Sequence, residues 1–184
     1  MQKRSSRDIP IALIGLPGAG KTSVGRALAA RLGRPFVDLD EAASRALGAA
    51  PSEAFARLGE EAFRDAEEAA LHKALAPRGG GAAAVVATGG GAVLREANRR
   101  ALAESAFVIW LELPPEAAAA RLAASPGGLR SRPLLAGDGP ARMRELWEAR
   151  RALYEAASDA RVDASVGSPE EIAGAAEAAY APRR

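Results

Sequence analysis

IPIALIGLPGAGKT, running from Ile9 to Thr22, is the stretch of this sequence that decides the fold. Its first six residues, Ile9 to Ile14, form an apolar run that predicts a buried β-strand. A glycine-rich turn follows, and apolar side chains then recur at helical spacing from Lys21 to Leu32. The stretch therefore predicts a strand, a tight loop and a helix in that order.

The loop GLPGAGKT matches the phosphate-binding pattern G-x-x-x-x-G-K-[ST] in full. Gly15, Gly18 and Gly20 let the backbone turn its N–H groups toward an anion, and the dipole of the following helix adds positive charge there. Lys21 can reach the β- and γ-phosphates of a nucleotide, while the hydroxyl of Thr22 can bind Mg²⁺. We therefore predict a P-loop that binds MgATP. The alternative is a nucleotide-binding module that has lost turnover.

Short apolar runs alternate with helical segments along the rest of the chain. Further strands are expected at Pro35–Leu39, Ala83–Ala87, Phe107–Leu113 and Arg161–Ala164. A helical stretch is expected from Asp40 to about Ala76, with breaks near Gly48 to Pro51 and at Gly59. Another helix is expected near Pro115 to Ala123, and a long helix is expected after about Pro140 and through Tyr154. This alternation predicts an α/β protein, a three-layer α/β/α fold with a mainly five-stranded parallel sheet. Ligands are then expected beyond the carboxyl ends of the strands.

The length indicates one domain, residues 1–184, with no separate substrate domain. The 25 basic and 23 acidic residues leave a net charge of +2, which gives no support to a nucleic-acid partner. No apolar run approaches the ~20 residues that a membrane span requires. The chain has no cysteine, which excludes disulfides and thiolate chemistry. We expect a cytoplasmic monomer.

Two acidic residues, Asp38 and Asp40, come at the end of the second predicted strand. Residues two apart on a strand point the same way, so both carboxylates are expected to face the ligand crevice. The one nearer the phosphates can hold Mg²⁺ through water, and the next can accept a hydrogen bond from an acceptor hydroxyl and help to remove its proton. Because the third strand ends in Thr88 and glycines rather than in an acid, Asp38 is the natural metal-side carboxylate. The alternative for Asp40 is an N-cap of the following helix.

Glycines and arginines complete the predicted acceptor site. Gly89, Gly90 and Gly91 permit close approach of a ligand to the backbone, although a flexible turn has the same composition. Arg64 and Arg150 lie on predicted helices, and together they can form the bidentate forks that bind a carboxylate. Taken singly, each arginine is more often a solvated surface charge.

Arg132 stands in RSRPLL, residues 130–135, within a loop long enough to fold over a nucleotide. A mobile arginine of this kind can stabilise the charge on a phosphoryl group during transfer. Taken singly, however, Arg132 is also more often a solvated surface charge.

Six motifs follow one another along the chain: GLPGAGKTSVGR (15–26), FVDLDEA (36–42), EEAFRDAE (60–67), TGGGAV (88–93), RPLL (132–135) and RRALY (150–154). In this order they resemble bacterial shikimate kinases from about residue 10 to residue 170. The resemblance implies ATP-dependent phosphorylation of the 3-hydroxyl of shikimate, on the route to chorismate and the aromatic amino acids. It also implies a nucleoside-monophosphate-kinase-like fold with a substrate-binding region at about 40–76 and a lid at about 121–140.

The resemblance further implies roles for individual residues. ATP would be bound by Gly15, Pro17, Gly18, Ala19, Gly20, Lys21, Thr22, Ser23, Arg121 and Arg132, with Arg121 and the segment near 165–169 beside adenine. Shikimate would be bound by Asp40, Arg64, Gly89, Gly90, Gly91 and Arg150, with the two arginines on its carboxylate. Lys21, Asp38 and Arg132 would be catalytic, and Mg²⁺ would be held by Thr22 and, through water, by Asp38.

The chain departs from the family pattern in two places. Ala152 stands where a proline is common, and the segment from Arg121 to Arg132 is longer than usual. A related kinase acting on a gluconate-like hydroxy acid is the alternative enzyme. The triple glycine, the Phe63-Arg64 pair and RPLL favour shikimate.

Overall fold

The computed structural model describes residues 9–77, 81–125 and 139–180. Its strands are β1 (Ile11–Ile14), β2 (Phe36–Asp38), β3 (Val85–Ala87), β4 (Phe107–Glu112) and β5 (Ala160–Asp163). Its α-helices are α1 (Lys21–Leu32), α2 (Leu39–Leu47), α3 (Pro51–Leu75), α4 (Glu96–Ser105), α5 (Pro115–Ala124), α6 (Gly139–Ala157) and α7 (Pro169–Tyr180). None of these helices is long and apolar enough to cross a membrane.

The strands form one parallel sheet in the order β2-β3-β1-β4-β5. The central strand β1 places Leu13 beside Ala87 of β3 and Ile109 of β4, and Asp38 of β2 is also aligned with Ala87. Because all the strands run parallel, the loop after β1, the end of β2 and the glycines after β3 meet at one edge of the sheet. The predicted three-layer α/β fold is confirmed.

The main core lies between the sheet and its helices. All of β1 and the middle of β4 are buried, and α1 packs against α7 while α4 and α6 pack against β4. A separate apolar cluster of Ala43, Ala54 and Phe63 joins α2 to α3. The helices that bear Asp40 and Arg64 therefore have a small core of their own beside the sheet.

The sequence placed every strand to within two residues of its observed ends, but it predicted neither α4 nor α7. The helix α4 buries only Asn98 and Leu102, and α7 buries Ile172 and alanines, so neither shows a strong apolar stripe. The predicted break at Gly59 is present as a kink inside α3, with φ 84° and ψ 166°, values that glycine alone adopts readily.

Candidate active site

A crevice of about 500 Å³ opens at the carboxyl edge of the sheet. Of the residues predicted to bind ATP or the acceptor, those that line it are Pro17, Gly18, Ala19, Gly20, Lys21, Thr22, Ser23, Asp38, Asp40, Gly90 and Arg121. Five others lie outside this lining: Gly15, Arg64, Gly89, Gly91 and Arg150. Arg132 and most of the predicted lid lie outside the described residues.

The phosphate loop closes on the side chain of Lys21. The Nζ atom of Lys21 donates hydrogen bonds to the carbonyl oxygens of Gly15 and Leu16, both at 2.8 Å. A Cβ atom on Gly18 would lie 2.7 Å from the carbonyl oxygen of Ala118 in α5, so a glycine is needed where the loop passes this helix. Among the described residues, no side chain caps the start of α1, and a helix start of this kind suits an anion.

Asp38, and not Asp40, is the N-cap of α2. Its Oδ1 atom accepts from the backbone N–H groups of Asp40 at 3.0 Å and Glu41 at 3.3 Å, and its Oδ2 atom accepts from the Thr22 hydroxyl at 2.7 Å. The capping alternative for Asp40 is therefore wrong. The strand geometry expected for the pair is also wrong, because β2 ends at Asp38 and Asp40 belongs to the first turn of α2. Both side chains nevertheless line the crevice.

Glu67 is a buried carboxylate that sequence reasoning missed. It has no exposed surface, and its Oε2 atom accepts from Nη1 of Arg64 at 2.8 Å. Its Oε1 atom has no hydrogen-bond partner among the described residues. Burial raises the pKa of Glu67 against the opposing effect of Arg64. The spacing of three residues places both side chains on one face of α3, and this was the signal available in the sequence.

Gly89 is where Glu67 approaches the crevice. A Cβ atom on Gly89 would lie 2.0 Å from Oε1 of Glu67 and 2.8 Å from Oδ1 of Asp40. Since both oxygens lie this close to one point, they are within about 4.8 Å of each other. Glycine at this position thus allows two carboxylates from different helices to meet beside the strand end.

Arg64 is held between acidic side chains and the glycine loop. Its guanidinium is buried, its Nη2 atom donates to Glu60 at 3.2 Å, and a Cβ atom on Gly91 would lie 2.6 Å from it. Burial disfavours the charge, but Glu67 and Glu60 outweigh burial and raise the pKa of Arg64. The residue therefore stays a cation beside Gly91.

Gly90 contacts the second predicted arginine. Its carbonyl oxygen accepts hydrogen bonds from Nη1 of Arg150 at 3.0 Å and from the hydroxyl of Tyr154 at 2.6 Å. Burial raises the pKa of Tyr154 to about 12, so its hydroxyl keeps its proton and acts as a donor. The sequence motif gave Tyr154 no role, although its spacing of four residues from Arg150 places both on one helix face. Arg64 and Arg150 thus lie at neighbouring glycines.

At the other end of the crevice, Arg121 contacts the segment that follows β5. Arg121 donates to the carbonyl oxygen of Ser165 at 3.2 Å. Asp163 accepts from the hydroxyl and the N–H of Ser165, and these bonds lower the pKa of Asp163. Pro169 and Ile172 add apolar surface to the same wall. The two segments predicted to flank adenine are therefore adjacent.

The fold and the crevice, which is lined by the phosphate loop and by Asp38 and Asp40, together define a P-loop kinase. A family model described as shikimate kinase matches residues 17–179. The chain belongs to the shikimate kinase family, as predicted, and it is an ATP-dependent kinase.

Individual relatives agree with the family. Over 153 residues, 83% of this chain and 84% of the relative, the sequence is 48% identical to the shikimate kinase of Symbiobacterium thermophilum. The structure of shikimate kinase from Acinetobacter baumannii in complex with shikimate superposes with a TM-score of 0.84 at 33% identity, covering 94% of this chain and 92% of that one. A gluconokinase from Sinorhizobium meliloti, with a TM-score of 0.64 and 22% identity over 95% and 93% of the two chains, shows the fold alone.

Proposed function

We propose that this chain transfers the γ-phosphoryl group of ATP to the 3-hydroxyl of shikimate through the residues assigned above. The observation that supports these assignments is the position of two buried arginines at neighbouring glycines, Arg64 at Gly91 and Arg150 at Gly90. Two guanidinium groups suit a carboxylate, because each offers paired donors in one plane. A ring acid with several hydroxyls would also use Asp40, whose carboxylate lines the crevice nearby.

The reaction forms a bond between the acceptor oxygen and the γ-phosphorus and breaks the bond from that phosphorus to the β–γ bridging oxygen, releasing ADP. We assign Lys21 to the charge on the phosphates and Asp38 to the region of the reacting hydroxyl, whose proton must leave. The capping bonds from α2 hold the Asp38 carboxylate in one orientation beside the phosphate loop. Asp40 is proposed to accept a hydrogen bond from that hydroxyl and to help to remove its proton. Arg132 is assigned to the transferring phosphoryl group, and it lies outside the described residues.

The donor atoms beside the phosphate loop fit Mg²⁺. The Thr22 hydroxyl and the Asp38 carboxylate lie 2.7 Å apart, and both offer the hard oxygen atoms that this ion prefers. Among the described residues, no group of three or more acidic or histidine side chains could hold a metal. Mg²⁺ commonly binds one or two protein ligands together with phosphates and water. We therefore propose Thr22 as a ligand and Asp38 as a contact through water; the bound ion would neutralise charge on the phosphates.

The regional assignments also stay proposals. The small apolar cluster between α2 and α3 supports a separate substrate-binding region at about 40–76 within the single domain 1–184. The proposed lid at about 121–140 includes residues 126–138, which are not described. The monomeric state and the cytoplasmic location stay predictions.

Phosphorus NMR of the protein with MgATP and shikimate, and with gluconate in a parallel sample, tests the proposed acceptor. A new phosphomonoester signal with shikimate alone is expected. A signal with gluconate alone, or no product with either acceptor, would contradict the proposal.

The role of Asp38 is tested in the same assay with Asp38→Asn. Turnover should fall by about 10²- to 10³-fold with the circular dichroism unchanged, because a positioned group that acts on the transition state is lost. Asp65→Asn is the matched control, since Asp65 is an exposed acid of α3 that pairs with Arg95 and does not line the crevice. Equal turnover in the two variants would remove Asp38 from the mechanism.

A further inference from the structure

Two donors from one helix share the carbonyl oxygen of Gly90. The Tyr154 hydroxyl donates at 2.6 Å and Nη1 of Arg150 donates at 3.0 Å. The two residues are one turn apart on α6, so their side chains leave the same face. A carbonyl oxygen has two lone pairs, and these two donors match that capacity.

Tyr154 is the more rigid of the two donors. Its side chain is buried, and its ring stacks on Trp110 of β4 with the ring centroids 6.0 Å apart. A buried phenol with this packing has little freedom to turn away from Gly90. Arg150, by contrast, has five N–H donors, and one guanidinium can serve more than one acceptor atom.

The position of this carbonyl determines where the next N–H group points. The peptide between Gly90 and Gly91 is trans and planar, so the N–H of Gly91 points opposite to the carbonyl of Gly90. The carbonyl faces α6, and the N–H therefore faces away from it.

We infer that Tyr154 is a positioning residue for acceptor binding, because its hydroxyl holds the Gly90 carbonyl while Arg150 turns toward an acceptor carboxylate. The inference rests on the proposed function, in which Arg150 and the glycine loop bind the acceptor. Without the Tyr154 hydroxyl, the Gly90 carbonyl would depend on Arg150 for its side-chain hydrogen bond, and Nη1 of Arg150 would be less able to turn toward the acceptor. Tyr154 does not line the crevice, so its influence on the acceptor is indirect, and we expect nucleotide binding to change little.

The chain contains two tyrosines, which provides a matched control. Tyr154→Phe removes the hydroxyl and keeps the ring that stacks on Trp110. Tyr180→Phe removes the other tyrosine hydroxyl, which accepts from Arg34 at 2.9 Å away from the glycine loop. For Tyr154→Phe we expect KM for shikimate to rise about tenfold, the equivalent of one lost hydrogen bond, with KM for ATP changed less than about twofold. Tyr180→Phe should leave both constants within about twofold.

Steady-state kinetics on the two variants and the unaltered protein distinguish a failure of the proposed function from a failure of the inference about Tyr154. If the unaltered protein does not phosphorylate shikimate, the proposed function and this inference are both overturned. If it does, while Tyr154→Phe raises both KM values equally or neither, the inference alone is overturned. A purely structural role for Tyr154 would lower Tm without this difference between the two substrates.

A double-mutant cycle tests the shared carbonyl directly. Tyr154→Phe and Arg150→Lys are combined, and shikimate affinity is measured by calorimetry for all four proteins. Residues that act through one atom are expected to couple, so the combined loss should differ by about threefold or more from the product of the single losses. A combined loss equal to that product would overturn the proposal.

Discussion

Replacing Glu67 with alanine is expected to destabilise the protein by about 3–5 kcal/mol, because it leaves a buried cation without its buried partner. The Arg64 and Glu67 side chains are 9% and 0% exposed, and their charged atoms are 2.8 Å apart. A second carboxylate that pairs with Arg64, that of Glu60, is 53% exposed and 3.2 Å away. Water screens such an exposed group, and it replaces little of the lost interaction.

This loss is a large part of the roughly 5–15 kcal/mol by which a domain is stable. For a chain of this size it corresponds to a decrease in Tm of roughly 6–20 °C. Urea unfolding followed by tryptophan fluorescence measures the change, since Trp110 is buried in the core. Glu60→Ala is the control, because it removes a carboxylate from the same arginine at the surface and should cost about 1 kcal/mol or less. Equal and small losses in both variants would refute the argument that burial makes the Arg64–Glu67 pair important.

Further predictions concern the acceptor, the pH dependence and the core. Arg150→Ala should weaken shikimate binding about tenfold or more in calorimetry, with the affinity for ATP nearly unchanged. Arg151→Ala, at an exposed neighbour, should change neither affinity. Parallel losses for both ligands in Arg150→Ala would disprove the proposed binding of the acceptor carboxylate by Arg64 and Arg150. The pKa of Glu67 is raised in the folded state, so the folded protein binds its proton at a higher pH than the unfolded chain does. The unaltered protein should therefore gain stability relative to Glu67→Gln as the pH falls toward about 4.5. Urea midpoints with the opposite trend would contradict the raised pKa. Gly25→Ala should cost about 1–3 kcal/mol in urea unfolding, since its Cβ would lie 2.6 Å from the Phe36 ring, and an unchanged midpoint would show that the ring moves freely.

Local patterns predicted the parts of the molecule that depend on neighbouring residues. The phosphate loop is contiguous, and its glycines, Lys21 and Thr22 act through backbone turns and a helix start that nearby sequence determines. The break at Gly59 was predicted for the same reason. The helix α4 was not predicted, because Leu102 is its only buried large apolar side chain and its sequence therefore lacks apolar residues repeated at helical spacing.

The end of β2 shows how a small difference in chain geometry changes a functional interpretation. The expectation for Asp38 and Asp40 assumed that the strand extended to Leu39 and that the helix began at Asp40. The strand instead ends one residue earlier, so Asp38 takes the capping position and Asp40 enters the first turn of α2. Sequence patterns do not resolve such ends, since boundary residues satisfy strand and helix geometry almost equally well.

The sequence by itself determined the alternation of strands and helices, the phosphate loop and the family, because each of these resides in short-range patterns and their order. Only the tertiary structure decided which distant side chains meet. Glu67 of α3 reaches Gly89 and Asp40, and Tyr154 of α6 reaches Gly90 across 64 residues of chain. These contacts depend on the strand order and on how the helices pack against the sheet, and that arrangement is set by burial of the whole core rather than by any one segment.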